Sequence, residues 1–123
     1  MGCAVACIAG LTGLTYDQIQ RLFNENKSST KGYDLKEISS TLKKKKLYYK
    51  GSKVNDLTKK YLKIPGSIVF IRRSKKYPAG HYLLRTKQDW MNSWINYPKI
   101  APAKAGFMKR LPGEAQWILY KKD

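Results

Sequence analysis

Met1-Gly2-Cys3-Ala4-Val5-Ala6-Cys7-Ile8-Ala9-Gly10 is a run of small, apolar residues carrying two cysteines four positions apart. Its spacing predicts a buried helix from about Gly2 to Ala9, with Gly10 as the C-cap. A thiol in the first turn of such a helix feels the positive end of the macrodipole, which favours the thiolate. The only histidine of the chain, His81, lies in Gly80-His81-Tyr82-Leu83-Leu84-Arg85, which reads as a strand. A cysteine opening a buried helix and a histidine on a later strand are the nucleophile and the base of a cysteine enzyme. Cys7 falls on the same side one turn later and reads as core.

Outward from that helix, Thr15-Tyr16-Asp17-Gln18 has capping-box form and opens a second helix with Ile19, Leu22 and Phe23 as its apolar face. Residues 24–32 form a polar loop. Asp34 caps a third helix, with Glu37 three residues on and Leu35, Ile38 and Leu42 as its stripe. Leu47-Tyr48-Tyr49 reads as a short strand, and Asn55 or Asp56 caps a brief helix through Tyr61 and Leu62. Pro65-Gly66 is a turn. Ser67-Ile68-Val69-Phe70-Ile71 is a strand rich in branched and aromatic residues. Lys87-Gln88-Asp89 turns the His81 strand into Trp90–Ile95. Residues 98–113 are rich in Pro, Ala and Gly and read as irregular, and Gln116–Tyr120 is a final strand. Helices first and an antiparallel sheet afterwards predict an α+β fold in one domain, residues 1–123.

The formal charge is +17, and 42% of the 123 residues are hydrophobic, so the chain has a core despite its charge. Residues 36–87 hold 16 of the 25 Lys and Arg side chains against only two acids, Glu37 and Asp56. Charge this dense opposes compaction and points to an anionic partner: nucleic acid, an acidic protein or an anionic membrane surface. The candidate nucleic-acid-binding residues are Lys43, Lys44, Lys45 and Lys46, then Arg72, Arg73, Lys75 and Lys76. Tyr48 or Tyr49 is a candidate for stacking on a base. No apolar run approaches the roughly 20 residues of a membrane span. The chain begins abruptly on the Cys3 helix, without a charged leader and cleavage pattern, as a segment cut from a larger carrier does. Two cysteines on one turn make neither a disulfide framework nor, with one histidine, a closed zinc site, so neither a metal nor a cofactor is expected.

Cysteine catalysis needs a base beside the thiol and a group that orients the base. Asn92 stands eleven residues beyond His81, across the predicted hairpin, where a residue of the next strand meets the second ring nitrogen. Asn96 is an alternative orienter.

The segment Cys3–Ala9 resembles the Asp-Cys-Gly-x-Ala-Cys-(Leu/Val)-Ala motif of the papain-like cysteine peptidases that process bacteriocin leaders. Leu11–Tyr16 resembles the start of their second helix, and His81-Tyr82-Leu83-Leu84 their histidine strand. Asn92-Ser93 falls where they carry Asp-Pro. The resemblance implies a papain-like fold, with N-terminal helices packed on an antiparallel sheet, and Cys3 as nucleophile, His81 as base and Asn92 as orienter. Gly2 and Ala4 depart from the motif, and its oxyanion-donating glutamine, a few residues before the cysteine, has no counterpart here. Loss of that donor costs a peptidase heavily.

Trp90–Pro98, followed by Ile100–Phe107, resembles the end of C-terminal toxin domains of bacterial contact-dependent inhibition proteins. That resemblance implies delivery on a secreted or cell-surface carrier and action in the cytoplasm of a target cell. It also implies a cognate acidic immunity protein, a host cytoplasmic protein cofactor in some cases, and RNA, transfer RNA above all, as substrate. Three readings follow: a metal-independent ribonuclease, a cysteine peptidase using Cys3, His81 and Asn92, and a basic binding module without chemistry.

Overall fold

The computed structural model describes residues 3–22, 34–78, 80–92 and 106–121. Three helices, α1 (Cys3–Thr12), α2 (Tyr16–Gln20) and α3 (Leu35–Lys43), precede six strands. The strands are β1 (Tyr49–Lys53), β2 (Ile68–Ile71), β3 (His81–Arg85), β4 (Trp90–Asn92), β5 (Gly106–Met108) and β6 (Ala115–Lys121). They form one antiparallel sheet in the order β1-β6-β2-β3-β4-β5. The α+β class read from the sequence is the class observed. None of the helices described is long and apolar enough to cross a membrane.

Local chemistry accounts for the helix boundaries. Both capping boxes form as expected: Thr15 with Gln18 opens α2, and Asp34 with Glu37 opens α3. The α1 helix does not stop at Gly10. It continues to Thr12 and ends at Gly13, whose φ of +77° suits a residue without Cβ and whose N–H bonds Ala9 O at 2.9 Å. Gly10 instead lets the helix pass close over the sheet. A Cβ there would lie 3.0 Å from the Met91 sulfur and 3.1 Å from Leu84.

Alternation along the strands divides the core between the two faces of the sheet. On the helical face Ile68, Tyr82, Leu84 and Leu119 pack with Val5, Ile8, Ile19, Ile38 and Leu42. On the opposite face Val69, Ile71, Leu83, Ile118 and Tyr120 pack with Tyr77 and Trp90, and with Tyr61 and Leu62 of a 3₁₀ turn over Lys59–Lys63.

Four further sequence expectations shift. The strand placed at Leu47–Tyr49 begins only at Tyr49, because the α3 exit occupies the preceding residues: the Leu47 N–H returns to Leu42 O at 3.0 Å. The helix capped by Asn55 is a set of turns before the 3₁₀ segment, with Asn55 Oδ1 accepting the N–H groups of Leu57 and Thr58. Residues 106–108, expected irregular, pair with β4. Tyr49 is core rather than a stacking platform, since it is buried and its hydroxyl donates to Gly66 O at 2.8 Å. The expectations for Phe23, residues 24–32, Ser93, Asn96 and the other residues of 93–105 fall outside the described residues.

Candidate active site

Register sets the geography of the site. Ile71 pairs with His81 and with Ala115, and Lys53 pairs with Trp117, so these residues share one end of the sheet. Asn92 belongs to the same end, because β4 leaves its turn at Trp90, opposite Arg85. The α1 helix runs over β3 from that end to the other: Cys3 lies against Tyr82, and Leu11 reaches Gly66. The helix therefore presents its N-terminus at the His81 end.

His81 and Asn92 are diagonal neighbours across β3 and β4, and both are buried, at 2% and 0% exposure. His81 Nε2 lies 2.7 Å from Asn92 Oδ1. The Asn92 amide nitrogen donates to the Tyr77 hydroxyl at 2.9 Å and approaches the Met108 sulfur at 3.3 Å. With the amide nitrogen turned to these two groups, Oδ1 faces the histidine. This oxygen can only accept, so Nε2 carries the proton and Nδ1 carries the lone pair. The Tyr77 ring stacks on the imidazole, with centroids 4.4 Å apart and planes within 9°. Orientation and tautomer are thus both held by neighbours.

The approach of the chain to His81 is equally constrained. Gly80 N–H closes a turn on Tyr77 O at 2.9 Å, with Pro78 in the turn. Gly80 has φ +77°, and a Cβ there would fall 2.1 Å from the Phe70 ring. A side chain at this position is excluded both by backbone conformation and by space.

Cys3 comes to the site from the helical face. Its thiol lies close to the backbone N–H of Tyr82, the residue after His81, and to those of Ala4 and of Cys3 itself. The thiol and the imidazole are not hydrogen-bonded to each other. His81 alternates with Tyr82, so its ring lies on the opposite face, and the Tyr82 peptide is what joins the two groups. Burial pushes the Cys3 thiol above its ordinary value, and the Tyr82 N–H offsets this only in part. The helix dipole, expected to favour a thiolate, loses here to desolvation. Burial also lowers His81; the Asn92 bond opposes that shift, and nearby Lys76 adds to it. The resting site therefore holds a neutral thiol and a neutral imidazole. Cys7 is wholly buried and, as expected, belongs to the core.

The two lysine- and arginine-rich clusters are not neighbours. Arg72, Arg73, Lys75 and Lys76 are exposed in the β2–β3 loop, directly before His81. Lys76 sits over the Tyr77 ring, 5.7 Å from its centroid, and Arg72 pairs with Glu114 at 3.6 Å. Lys43 ends α3 and Lys44–Lys46 follow it, ahead of Tyr49, which pairs with Lys121 at the other end of the sheet. Among the described residues no three His, Cys, Asp or Glu side chains gather as metal ligands.

Sequence reading named Cys3, His81 and Asn92 but missed Tyr77, Met108 and Gly80. The turn signal Tyr77-Pro78 before Gly80 marks the first and last; Met108 had no signal within its irregular stretch. Compared with known proteins, the chain matches no protein-family model and no curated protein.

Proposed function

We propose that this chain is an RNA-cleaving antibacterial toxin domain that acts on transfer RNA without a metal, with His81 as its general base. The observation that carries the reading is the His81–Asn92–Tyr77 arrangement beside the Arg72–Lys76 loop. A neutral imidazole with its tautomer held, buried and adjacent to cations, suits removal of a proton from a ribose 2′-hydroxyl. The oxygen so activated attacks the adjacent phosphorus and expels the 5′-oxygen, which takes a proton from water, leaving a cyclic phosphate and a 5′-hydroxyl end. Arg73, Lys75 and Lys76 supply positive charge for the phosphate. A raised thiol pKa weighs against Cys3 as the reacting group. In this reading the domain is released from a surface carrier, acts in the cytoplasm of a target cell, and is held inactive by an acidic immunity protein.

The test is incubation of total cellular RNA with wild type, Cys3→Ala and His81→Ala proteins, in the presence of cytoplasmic extract to supply a host cofactor. Transfer-RNA bands cut by wild type and Cys3→Ala, and intact with His81→Ala, are the expected result. Intact bands with all three proteins overturn the reading.

One observation favours a second reading, a cysteine peptidase. Cys3 stands in the first turn of α1, close to the N–H of the residue following His81. Substrate binding that brings the thiol and Nδ1 together would generate the nucleophile. That enzyme loses all activity on alkylation of Cys3 and leaves RNA intact.

A further inference from the structure

Exposed positive charge gathers at the far end of the sheet as well as in the Arg72–Lys76 loop beside His81. The acids Asp34, Glu37, Asp56 and Glu114 all belong to the His81 half of the sheet: the first two open α3 near Tyr82, and the others follow Lys53 and precede Ala115. The opposite end gathers exposed cations from separate segments. Lys45 and Lys46 leave α3, Lys63 ends the 3₁₀ turn, Lys87 lies in the β3–β4 turn and Lys121 closes β6. Its described acids are Asp17, in α2, and Asp89, which Lys109 engages at 3.3 Å. Tyr48 stands among these lysines with 54% of its surface exposed.

We infer that this far end is a second grip for RNA, so that the substrate is a folded RNA long enough to lie along the molecule while its reacting ribose is at His81. The inference rests on the ribonuclease reading and adds the size and shape of the substrate to it. Strand β3 alone separates the two ends by about 15 Å, at ~3.4 Å per residue. The loops beyond each end lengthen that span. A hairpin of a few base pairs fills one end only, whereas the arms of a folded transfer RNA reach both. Nucleic acid fits the far end better than a protein partner does. Protein interfaces are depleted in lysine and built around apolar anchors, while phosphate-binding surfaces are basic and polar. Tyr48 adds a ring face for an unpaired base.

The experiment measures binding by fluorescence anisotropy across a potassium chloride series, with labelled transfer RNA and with a twelve-nucleotide hairpin. The proteins are wild type, Lys45→Glu/Lys46→Glu/Lys121→Glu and, as an independent set on other segments, Lys63→Glu/Lys87→Glu. Both variant sets are expected to weaken transfer-RNA binding by about tenfold or more and to flatten its salt slope by roughly one for each phosphate no longer neutralised, while hairpin affinity moves less than twofold. Equal affinities and slopes for the two RNAs in wild type overturn the inference. So does an unchanged transfer-RNA affinity in both variant sets, the outcome expected if the far end docks an acidic protein. Length-dependent binding without cleavage removes the ribonuclease reading and leaves the grip; cleavage of both RNAs with equal efficiency removes the grip and leaves the ribonuclease.

Discussion

Asn92 accepts from His81 through its oxygen at 2.7 Å and donates to Tyr77 through its nitrogen at 2.9 Å, so one buried amide sets the proton on the imidazole. Replacing Asn92 by Ala leaves a buried Nε2–H and a buried Tyr77 hydroxyl without this partner, and an unsatisfied buried polar group costs about 1–3 kcal/mol. Activity is expected to fall by roughly 10-fold to 100-fold, at or below the lower bound of what a positioned acid–base group contributes, because the imidazole itself stays. Tyr77→Phe keeps the stacked ring and removes only the acceptor, so its effect is smaller. Nitrogen-15 shifts of His81 check the mechanism directly: the Nε2–H tautomer in wild type, and a mixture in Asn92→Ala.

The pH dependence follows from the lowered His81 value. In the unfolded chain His81 titrates at its ordinary value of 6.5; in the fold, burial holds it lower. Above pH 6.5 both states are neutral there and the group leaves stability unaffected. As the pH falls below 6.5 the unfolded chain takes up the proton first, so stability declines until the folded value is passed. Since the neutral form is the base, the acid limb of kcat/KM has its midpoint below 6.5. Proton NMR of the single histidine, set beside urea melts at pH 5 and 7, checks both statements. A His81 midpoint at or above 6.5 contradicts them.

Cys3 is 7% exposed and its thiol is raised by burial, so iodoacetamide is expected to react with the folded protein at pH 7.5 far more slowly than with free cysteine. Stability should also fall as the pH rises past 9.0, where the unfolded thiol ionises and the folded one does not. Rapid labelling of Cys3, read by mass spectrometry, would favour the peptidase.

Gly80→Ala tests how strictly the β3 entry is constrained. The added methyl meets the Phe70 ring, and the backbone keeps φ +77°. A destabilisation of at least ~2 kcal/mol is expected from strain and overpacking together. Phe70→Leu in the same chain clears the space and restores part of that stability, which thermal melts of the single and double variants would show. Additive effects in the double variant contradict the account.

Local signals were legible wherever a side chain acts on its own backbone. Thr15 and Asp34 each reach an N–H three residues on, and the Ile68–Ile71 strand declares itself by branched side chains. The His81–Asn92 contact was legible because a residue of the next strand meets the ring; that the Cys3 thiol approaches from the opposite face was not. The misses share a cause: they depend on neighbours distant in sequence. Gly10 looks like a stop until Met91 and Leu84 are seen beneath it, and Gly106–Met108 is a strand only because β4 lies beside it. Tyr48 and Tyr49 look alike in sequence, and only pairing with β6 turns the second inward. The two lysine clusters, close in sequence, are parted by the direction of the strands between them.

The position of β6 has a further consequence. Residues 115–121 lie between β1 and β2, so the sheet is two unjoined pieces until the sixth strand arrives. Such long-range pairing makes folding slow. Until that segment arrives, β1, on which α3 packs, has no strand joining it to the β2–β5 piece that carries His81. Removing the segment would take out the strand between β1 and β2, and with it the pairing of both to β6.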